Sequence, residues 1–277
     1  MKEKKKILSK IFMVLLMIFF YAPIIYIIIF SFNGSRSLTH LDGFSLRWYE
    51  KMFNDKTMME SVVYTIVIAV LSTAISTVVG TITSIGLSKS RPILKKTVEQ
   101  VNNFPIMNPE IVTAIGLLMF FSALGVKKGF TTLLLAHVMF CTPYVMLSVT
   151  PKLRSLDPNL ADAAMDLGAT PWKALIKVIV PQITPGIVSG ALIAFTMPGI
   201  ISGALIAFTM SFDDFIISYF VTGNGVSNIS ILVYTMSKRV NPSINALSTL
   251  VILIITAVLI IVNIIPIIKE KKEKRTA

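Results

Sequence analysis

Charged residues are scarce in this chain of 277 residues. They make up 14% of it, whereas a soluble domain carries roughly 25% because charge covers its surface. Hydrophobic residues make up 54%, and the mean hydropathy is +0.78. An ordinary soluble globular domain is therefore excluded.

The residue types that build disulfides, metal sites and hydrolytic centres are also nearly missing. The one cysteine, Cys141, excludes an internal disulfide, and with His40 and His137 it forms no zinc-binding spacing. The sequence has no G-x-x-x-x-G-K-[ST] phosphate-binding loop, no G-x-S-x-G and no H-E-x-x-H. We therefore expect no cofactor and no metal in this chain, and no enzymatic activity of its own.

The apolar residues form six blocks, each long enough for the roughly 20 helical residues that cross a bilayer. The predicted spans are 11–31, 62–87, 106–124, 129–150, 183–221 and 246–268. The first block follows a basic start, but its apolar run is too long for a signal peptide and no small-residue cleavage site follows it. The sequence thus predicts an all-α, polytopic membrane protein with a single transmembrane domain over residues 1–277.

The basic residues predict the orientation of the spans. With six spans both termini lie on one side, and 18 of the 26 Lys and Arg residues fall on that side. An excess of Lys and Arg marks the cytoplasmic side, so both termini are predicted to be cytoplasmic. The net charge of +12 therefore indicates topology and contact with anionic lipid rather than a nucleic-acid partner.

The predicted cytoplasmic connection 151–182 has its own helix signals. Asp157 and Pro158 are typical of a helix start, and Gly168 is typical of the left-handed residue after a helix end. Thr170 and Pro171 predict a second short helix that ends before Pro181. Ala163 and Ala164 would give the first helix a surface of small residues, which a partner can approach closely.

The same connection carries a spaced motif. Asp162-Ala163-Ala164 is followed after three residues by Gly168, and after nine more by Val178-Ile179-Val180-Pro181. This resembles the EAA loop of ABC-transporter permeases, with Asp in place of the usual Glu and Val at two apolar positions. The resemblance implies that the loop docks on a cytoplasmic ATPase dimer, which binds the ATP and Mg. The coupling residues it implies are Asp162, Ala163, Ala164 and Gly168. Trp172 could anchor the second short helix at the interface with the ATPase or, equally, be an aromatic residue at the membrane interface.

Further segments resemble the spermidine/putrescine permeases of the PotC type. They are Tyr21-Ala22-Pro23-Ile24, Ser31-Phe32-Asn33, Ser211-Phe212-Asp213-Asp214-Phe215, Phe220-Val221-Thr222-Gly223 and Asn245-Ala246-Leu247-Ser248-Thr249. The resemblance implies the MetI-like fold of type I ABC importers in a bacterial cytoplasmic membrane. It also implies a second homologous permease subunit and an extracytoplasmic polyamine-binding protein.

A polyamine needs negative charge or aromatic faces along its path, because an isolated ammonium is costly in the bilayer. Glu110 lies inside the third predicted span, after Pro105 and Pro109, and Asp213 and Asp214 lie late in the fifth. With Ser211 and the outer residue Trp48, these are the predicted path residues. Each of the charged residues and Trp48 also has a structural alternative. Glu110 could pair with a residue of another helix, the aspartates could lie at a solvated helix end, and Trp48 could lie in the aromatic belt at the membrane interface. We expect His137 to be a packed, hydrogen-bonded residue.

Residues 185–197 and 198–210 are a tandem duplication that differs only at Val188 and Ile201. Each copy has a G-x-x-x-G pair suited to close helix packing. A helix from Pro185 to Val221 would be about 55 Å long, against a hydrocarbon core of about 30 Å. Both copies therefore cannot serve one span, and we expect the second copy to form it because it keeps its spacing to Asp213. The sequence leaves open whether the extra copy is a displaced loop, an impairing change or an artefact.

Three other functions remain open at this point. The alternative most similar to the predicted function is an importer with the same mechanism and another cargo. An ion-coupled secondary transporter would leave the EAA-like loop unexplained and would usually show inverted repeats. An intramembrane hydrolase lacks any matching motif.

Overall fold

A computed structural model describes residues 2–88, 90–157, 159–183, 199–237, 241–257 and 260. Their regular secondary structure is helical, and the described part of the chain contains no strand beyond one isolated bridge between Asn33 and Phe44. They form two compact units, one from residues up to Met59 and from Leu232 onward, the other from Glu60–Ile231. The predicted all-α class is confirmed.

Thirteen helical segments, with one π-helical turn between two of them, follow one another in the described residues. They are α1 (Lys2–Ser31), α2 (Arg47–Asn54), α3 (Lys56–Ser88), α4 (Pro92–Met107), α5 (Glu110–Ala123), α6 (Phe130–Arg154), α7 (Leu160–Asp166), α8 (Pro171–Ala174), the π turn Leu175–Ile179, α9 (Val180–Ile183), α10 (Gly199–Asp213), α11 (Ile216–Val221), α12 (Ile229–Ser237) and α13 (Ser243–Ala257).

Three of these helices are long and apolar enough to cross a membrane, namely α1 from Ser9, α3 and α6. The pair α4 and α5 meets the same test only when taken together, because it bends by 108° at Asn108–Pro109. The predicted third span, 106–124, therefore contains a break, at the prolines that precede Glu110. Pro109 lacks the N–H that would continue α4, and α5 starts only at Glu110.

The last two predicted spans are described in part. Within 183–221, α10 and α11 are separate helices with a break at Asp214–Phe215, so the described part of this span is not one rod. The first copy of the duplication, 185–197, lies outside the described residues. Helix α13 begins three residues before the predicted sixth span, whose residues 258–259 and 261–268 are likewise outside.

The core of the larger unit lies between α5, α6, α10 and α11. Fully or nearly fully buried apolar side chains come from all four, for example Leu117 of α5, Leu133 of α6, Ala207 of α10 and Ile217 of α11. These buried side chains recur at helical spacing along one face of each helix. The opposite faces of these helices are exposed and apolar, as expected where lipid rather than water surrounds a helix.

Helix α10 approaches α6 closely through its two glycines. A Cβ added at Gly203 would lie 3.0 Å from Val145 Cα, and one added at Gly199 would lie 2.5 Å from the Ser148 carbonyl oxygen. Real Cβ contacts are longer, so a side chain at Gly199 would clash with the α6 backbone, and one at Gly203 would force α6 to move by a few tenths of an ångström. The G-x-x-x-G pair of the second copy therefore acts as a packing surface against α6.

Substituting Gly203→Val should destabilise the subunit, because the new side chain has no space against the α6 backbone. We expect the midpoint of thermal unfolding in detergent to fall by several degrees, as followed by circular dichroism. Gly86→Val on α3 is the matched control, since an added Cβ there meets nothing within 4 Å. Equal midpoints for the two variants would show that α10 and α6 are not in close contact.

Candidate functional site

Helices α7 and α8 form a hairpin in the connection predicted to be cytoplasmic, and its central turn is a Schellman motif. Gly168 N donates to the Met165 carbonyl at 2.9 Å, and Ala169 N donates to the Ala164 carbonyl at 3.0 Å. Gly168 has φ +86, the left-handed conformation that glycine adopts without strain. The predicted role of Gly168 as a helix terminator is confirmed.

The first helix of the hairpin is shorter than its sequence signals suggest. It begins at Leu160 after an Asn159 N-cap, not at Asp157. The Asp157 carboxylate accepts a hydrogen bond from Asn159 N at 2.9 Å, so it closes a turn just before the helix. The expected helix start at Asp157 is corrected for this reason.

The second helix begins as predicted and ends later than predicted. Thr170 Oγ1 accepts from Lys173 N at 3.3 Å, and Pro171 takes the first position. The helix then widens into the π turn Leu175–Ile179 and continues through Pro181 to Ile183. A wide turn accommodates Pro181, whose ring would clash with a carbonyl in regular α-helix.

The hairpin buries one face and exposes the motif on the other. Ala161 and Ala174 are buried, whereas Asp162, Ala163 and Gly168 are exposed and Ala164 is half-buried. Two large apolar side chains also point outward, Leu167 at 90% and Trp172 at 68% exposure. The sequence reasoning missed Leu167, because a leucine at a helix end is usually packed.

A second polar centre lies where α10 gives way to α11. Asp214 is buried, and its carboxylate accepts from the N–H groups of Ile217 at 3.3 Å and Ser218 at 2.8 Å. It therefore satisfies the free amides at the start of α11. Asn228 Nδ2 donates to the Asp214 backbone carbonyl at 2.9 Å. This bond holds the non-helical backbone between α10 and α11.

His137 of α6 joins this centre through two serines. Its Nδ1 lies 2.6 Å from Ser211 Oγ, and its Nε2 lies 2.9 Å from Ser218 Oγ and 3.5 Å from Asp214 Oδ2. Ser218 donates its one hydroxyl proton to Asp214 at 2.8 Å, so Nε2 is the donor to Ser218. On the other side of the ring, Nδ1 pairs with the Ser211 hydroxyl, which accepts from Ser72 at 2.9 Å.

The five predicted path residues are placed differently. Asp213 is exposed, directly beside the helix break, and Glu110 is exposed at the first position of α5. The Glu110 carboxylate interacts electrostatically with both Asp213 and Asp214. Ser211 and Asp214 are buried in the network around His137. Of the five, Asp213 and Glu110 are thus the two with exposed carboxylates.

Trp48 belongs to the other unit and is 1% exposed. Its Nε1 donates to the Asn33 carbonyl at 2.7 Å, and the Arg47 guanidinium lies 4.4 Å from its ring centre. The Asn33 side chain in turn holds the loop after α1, for example by accepting from Asp42 N at 2.7 Å. Trp48 therefore anchors α2, and its cation–π partner is an arginine of the same chain.

The sequence pointed to His137 as a packed residue, and its burial with two hydrogen bonds confirms that interpretation. It gave no sign of Ser72 or Asn228, because their partners lie on other helices. The sequence did offer one sign of this network. Asp214 and Ser218 are four residues apart, a spacing at which their side chains can form a hydrogen bond. No group of three or more His, Cys, Asp or Glu side chains suited to a metal occurs among the described residues.

Comparison with known proteins assigns the family. Residues 76–197 match the binding-protein-dependent transport system inner membrane component family. The chain is 35% identical over 247 residues to the spermidine/putrescine transport system permease protein PotC of Haemophilus influenzae. The matched residues cover 89% of this chain and 91% of that protein. It is 36% identical over 242 residues to the putrescine transport system permease protein PotI of Escherichia coli, covering 84% and 82%.

Solved structures agree on the fold. A chain of the bacterial ABC transporter involved in import of the acidic polysaccharide alginate superposes with a TM-score of 0.67 at 17% identity, over 95% of this chain and 96% of that one. The same kind of transporter, in complex with an alginate pentasaccharide-bound periplasmic protein, gives 0.65 at 13% identity, over 94% of each chain. The predicted MetI-like fold, the expected transport role and the absence of an enzymatic role are confirmed. The chain belongs to the family of inner-membrane permease components of binding-protein-dependent ABC importers, together with PotC and PotI.

Proposed function

We propose that this permease moves polyamines, spermidine or putrescine, across the bacterial cytoplasmic membrane. The observation that carries this proposal is the pair of exposed carboxylates, Asp213 and Glu110, at two helix breaks of one unit. A polyamine is a string of ammonium groups, and a carboxylate at membrane depth compensates such a charge. The identity to PotC and PotI supports the same cargo.

The placement of Asp213 follows from its buried neighbour. Asp214, His137 and Asn228 hold the backbone between α10 and α11. In this arrangement the Asp214 carboxylate is buried among its hydrogen-bond partners, and the Asp213 carboxylate is exposed. A rigid support of this kind is what a binding carboxylate needs, because cargo affinity falls when the group must first be ordered.

The cytoplasmic hairpin would connect the permease to its energy source. A pair of ATPase subunits binds ATP and Mg, and the surface of Asp162, Ala163, Ala164 and Gly168 docks on it. Leu167 and Trp172 add exposed apolar area beside that surface, and such area on a soluble face is typical of a protein interface. A second permease subunit, an extracytoplasmic polyamine-binding protein and the cytoplasmic position of both termini complete the proposed assembly.

Uptake into proteoliposomes tests the cargo. The permease is reconstituted with its partner subunits and binding protein, and labelled spermidine, putrescine and choline are compared with and without internal ATP. We expect ATP-dependent uptake of a polyamine to exceed that of choline by about tenfold or more, which corresponds to about 1.4 kcal/mol of discrimination. Equal uptake of choline would contradict the proposed cargo.

A different cargo is the second candidate. An anion importer would line its path with Lys or Arg, but the ionisable side chains at the two helix breaks are Glu110, Asp213 and Asp214. The charge at this centre therefore favours a cation. The family assignment sets aside the secondary transporter and the hydrolase.

A further inference from the structure

Helices α6 and α10 contact each other at regular four-residue steps. Val149 lies against Gly199, Val145 against Gly203, Cys141 against Ala207 and His137 against Ser211. The evidence at each step is the close approach at the two glycines, the Cys141 Sγ to Ala207 carbonyl distance of 3.3 Å and the His137 to Ser211 hydrogen bond. Four residues are about one helical turn, so one face of each helix makes all four contacts.

Three of these four contacts do not distinguish the two copies of the duplication. Gly186, Gly190 and Ala194 of the first copy correspond to Gly199, Gly203 and Ala207 of the second. The two copies differ by a single methylene group, between Val188 and Ile201. Hydrophobic burial and glycine packing against α6 are therefore nearly the same for either copy.

The fourth contact does distinguish them, because it lies just beyond the repeated sequence. The residue after the second copy is Ser211, and the residue after the first copy is Pro198. His137 Nδ1 pairs with the Ser211 hydroxyl at 2.6 Å, whereas a proline has no polar side-chain atom to take its place. Likewise Asp214 corresponds to Ile201, which has no charge or acceptor.

We propose that His137 selects the second copy for the α6 interface and thereby positions Asp213. With the first copy in that place, the buried imidazole would lose its Ser211 and Asp214 partners. An unsatisfied buried polar group is costly, and no compensating contact arises from the single methylene difference. His137 is thus a positioning residue that decides the register of two otherwise equivalent segments.

The register has a consequence for transport. Asp213 follows the end of the second copy by three residues, so the copy that contacts α6 fixes where this carboxylate lies. Thirteen residues in a helix correspond to about 20 Å, far more than a path residue tolerates. Only this consequence depends on the proposed polyamine function; the register itself is measured without any cargo.

The native Cys141 provides the measurement, since it is the only cysteine of the chain. Ala207→Cys places a thiol at the observed contact with Cys141, and Ala194→Cys places one at the same site of the other copy. We expect oxidation in native membranes to give about tenfold more intramolecular disulfide with Ala207→Cys than with Ala194→Cys. Mass spectrometry of the linked peptides reads the yield, and equal yields would overturn the register assignment.

His137→Leu then tests the cause. Leucine keeps an apolar side chain at this position and needs no hydrogen bond, so the preference for the second copy should shrink and the Ala194→Cys disulfide should rise toward the Ala207→Cys yield. The control is the same substitution in the 264-residue chain that lacks 185–197, where no second register exists. There the Ala207→Cys disulfide should persist. An unchanged ratio in the full chain, or loss of the disulfide in the single-copy chain, would overturn the role of His137.

Discussion

Replacing Asp213 with asparagine is expected to lower polyamine uptake by about tenfold or more at cargo concentrations below saturation. The substitution keeps the shape of the side chain and removes the charge that is exposed beside the break between α10 and α11. An ammonium group that loses its carboxylate partner at this depth loses a charge-assisted hydrogen bond. Initial rates of labelled putrescine uptake in proteoliposomes measure the effect.

The neighbouring residues define the controls for Asp213→Asn. Glu110→Gln should lower uptake in the same direction, since its carboxylate interacts with the aspartates. Asp42→Asn removes an exposed carboxylate elsewhere in the chain and should leave uptake unchanged. Asp214→Asn should instead reduce the yield of folded protein, because that carboxylate is buried and accepts three hydrogen bonds. Full uptake by both Asp213→Asn and Glu110→Gln would refute the assigned path.

Substituting Ala163→Trp is expected to uncouple the permease from its ATPase. Ala163 is exposed on α7 beside Leu167, so the change should not disturb the fold of the hairpin. A docking partner that fits a small side chain cannot accept an indole without moving away. We expect the ATPase to be lost on co-purification and cargo-stimulated ATP hydrolysis to fall by more than about tenfold.

Ala123→Trp is the matched control, because Ala123 is exposed at the last position of α5 and lies outside the hairpin. It should retain the ATPase on co-purification. If Ala163→Trp also retained the ATPase and supported normal uptake, the hairpin would not be the coupling surface.

Several features could be predicted from residue order because they depend on local physical chemistry. Scarce charge and long apolar blocks require lipid around helices, and the described helices are apolar on their outer faces. A glycine at position 168 indicated a left-handed helix end, because that conformation lets the next N–H groups pair with the last-turn carbonyls of Ala164 and Met165. The spaced Asp162 to Pro181 motif indicated the permease family, which the relatives confirm.

Other features could not be predicted because they depend on contacts between distant residues. Asp213 and Asp214 are identical in type and adjacent, yet Asp214 is buried beside His137, 77 residues before it, whereas Asp213 is exposed. Trp48 has an arginine and a carbonyl as partners, which no local pattern of aromatic residues reveals. The end of the second hairpin helix depended on whether a π turn would form before Pro181.

The sequence by itself determined that this chain lies in a membrane, that a helical hairpin carries the EAA-like motif, and that few acidic residues are available to a cationic cargo. These properties follow from composition and short-range spacing, and both are independent of how the helices meet. Only the tertiary structure decided which carboxylates are free, where the helices break and which partners the second copy of the duplication meets on α6. Those outcomes depend on hydrogen bonds between α6, α10 and α11 that buried polar groups must find across the fold.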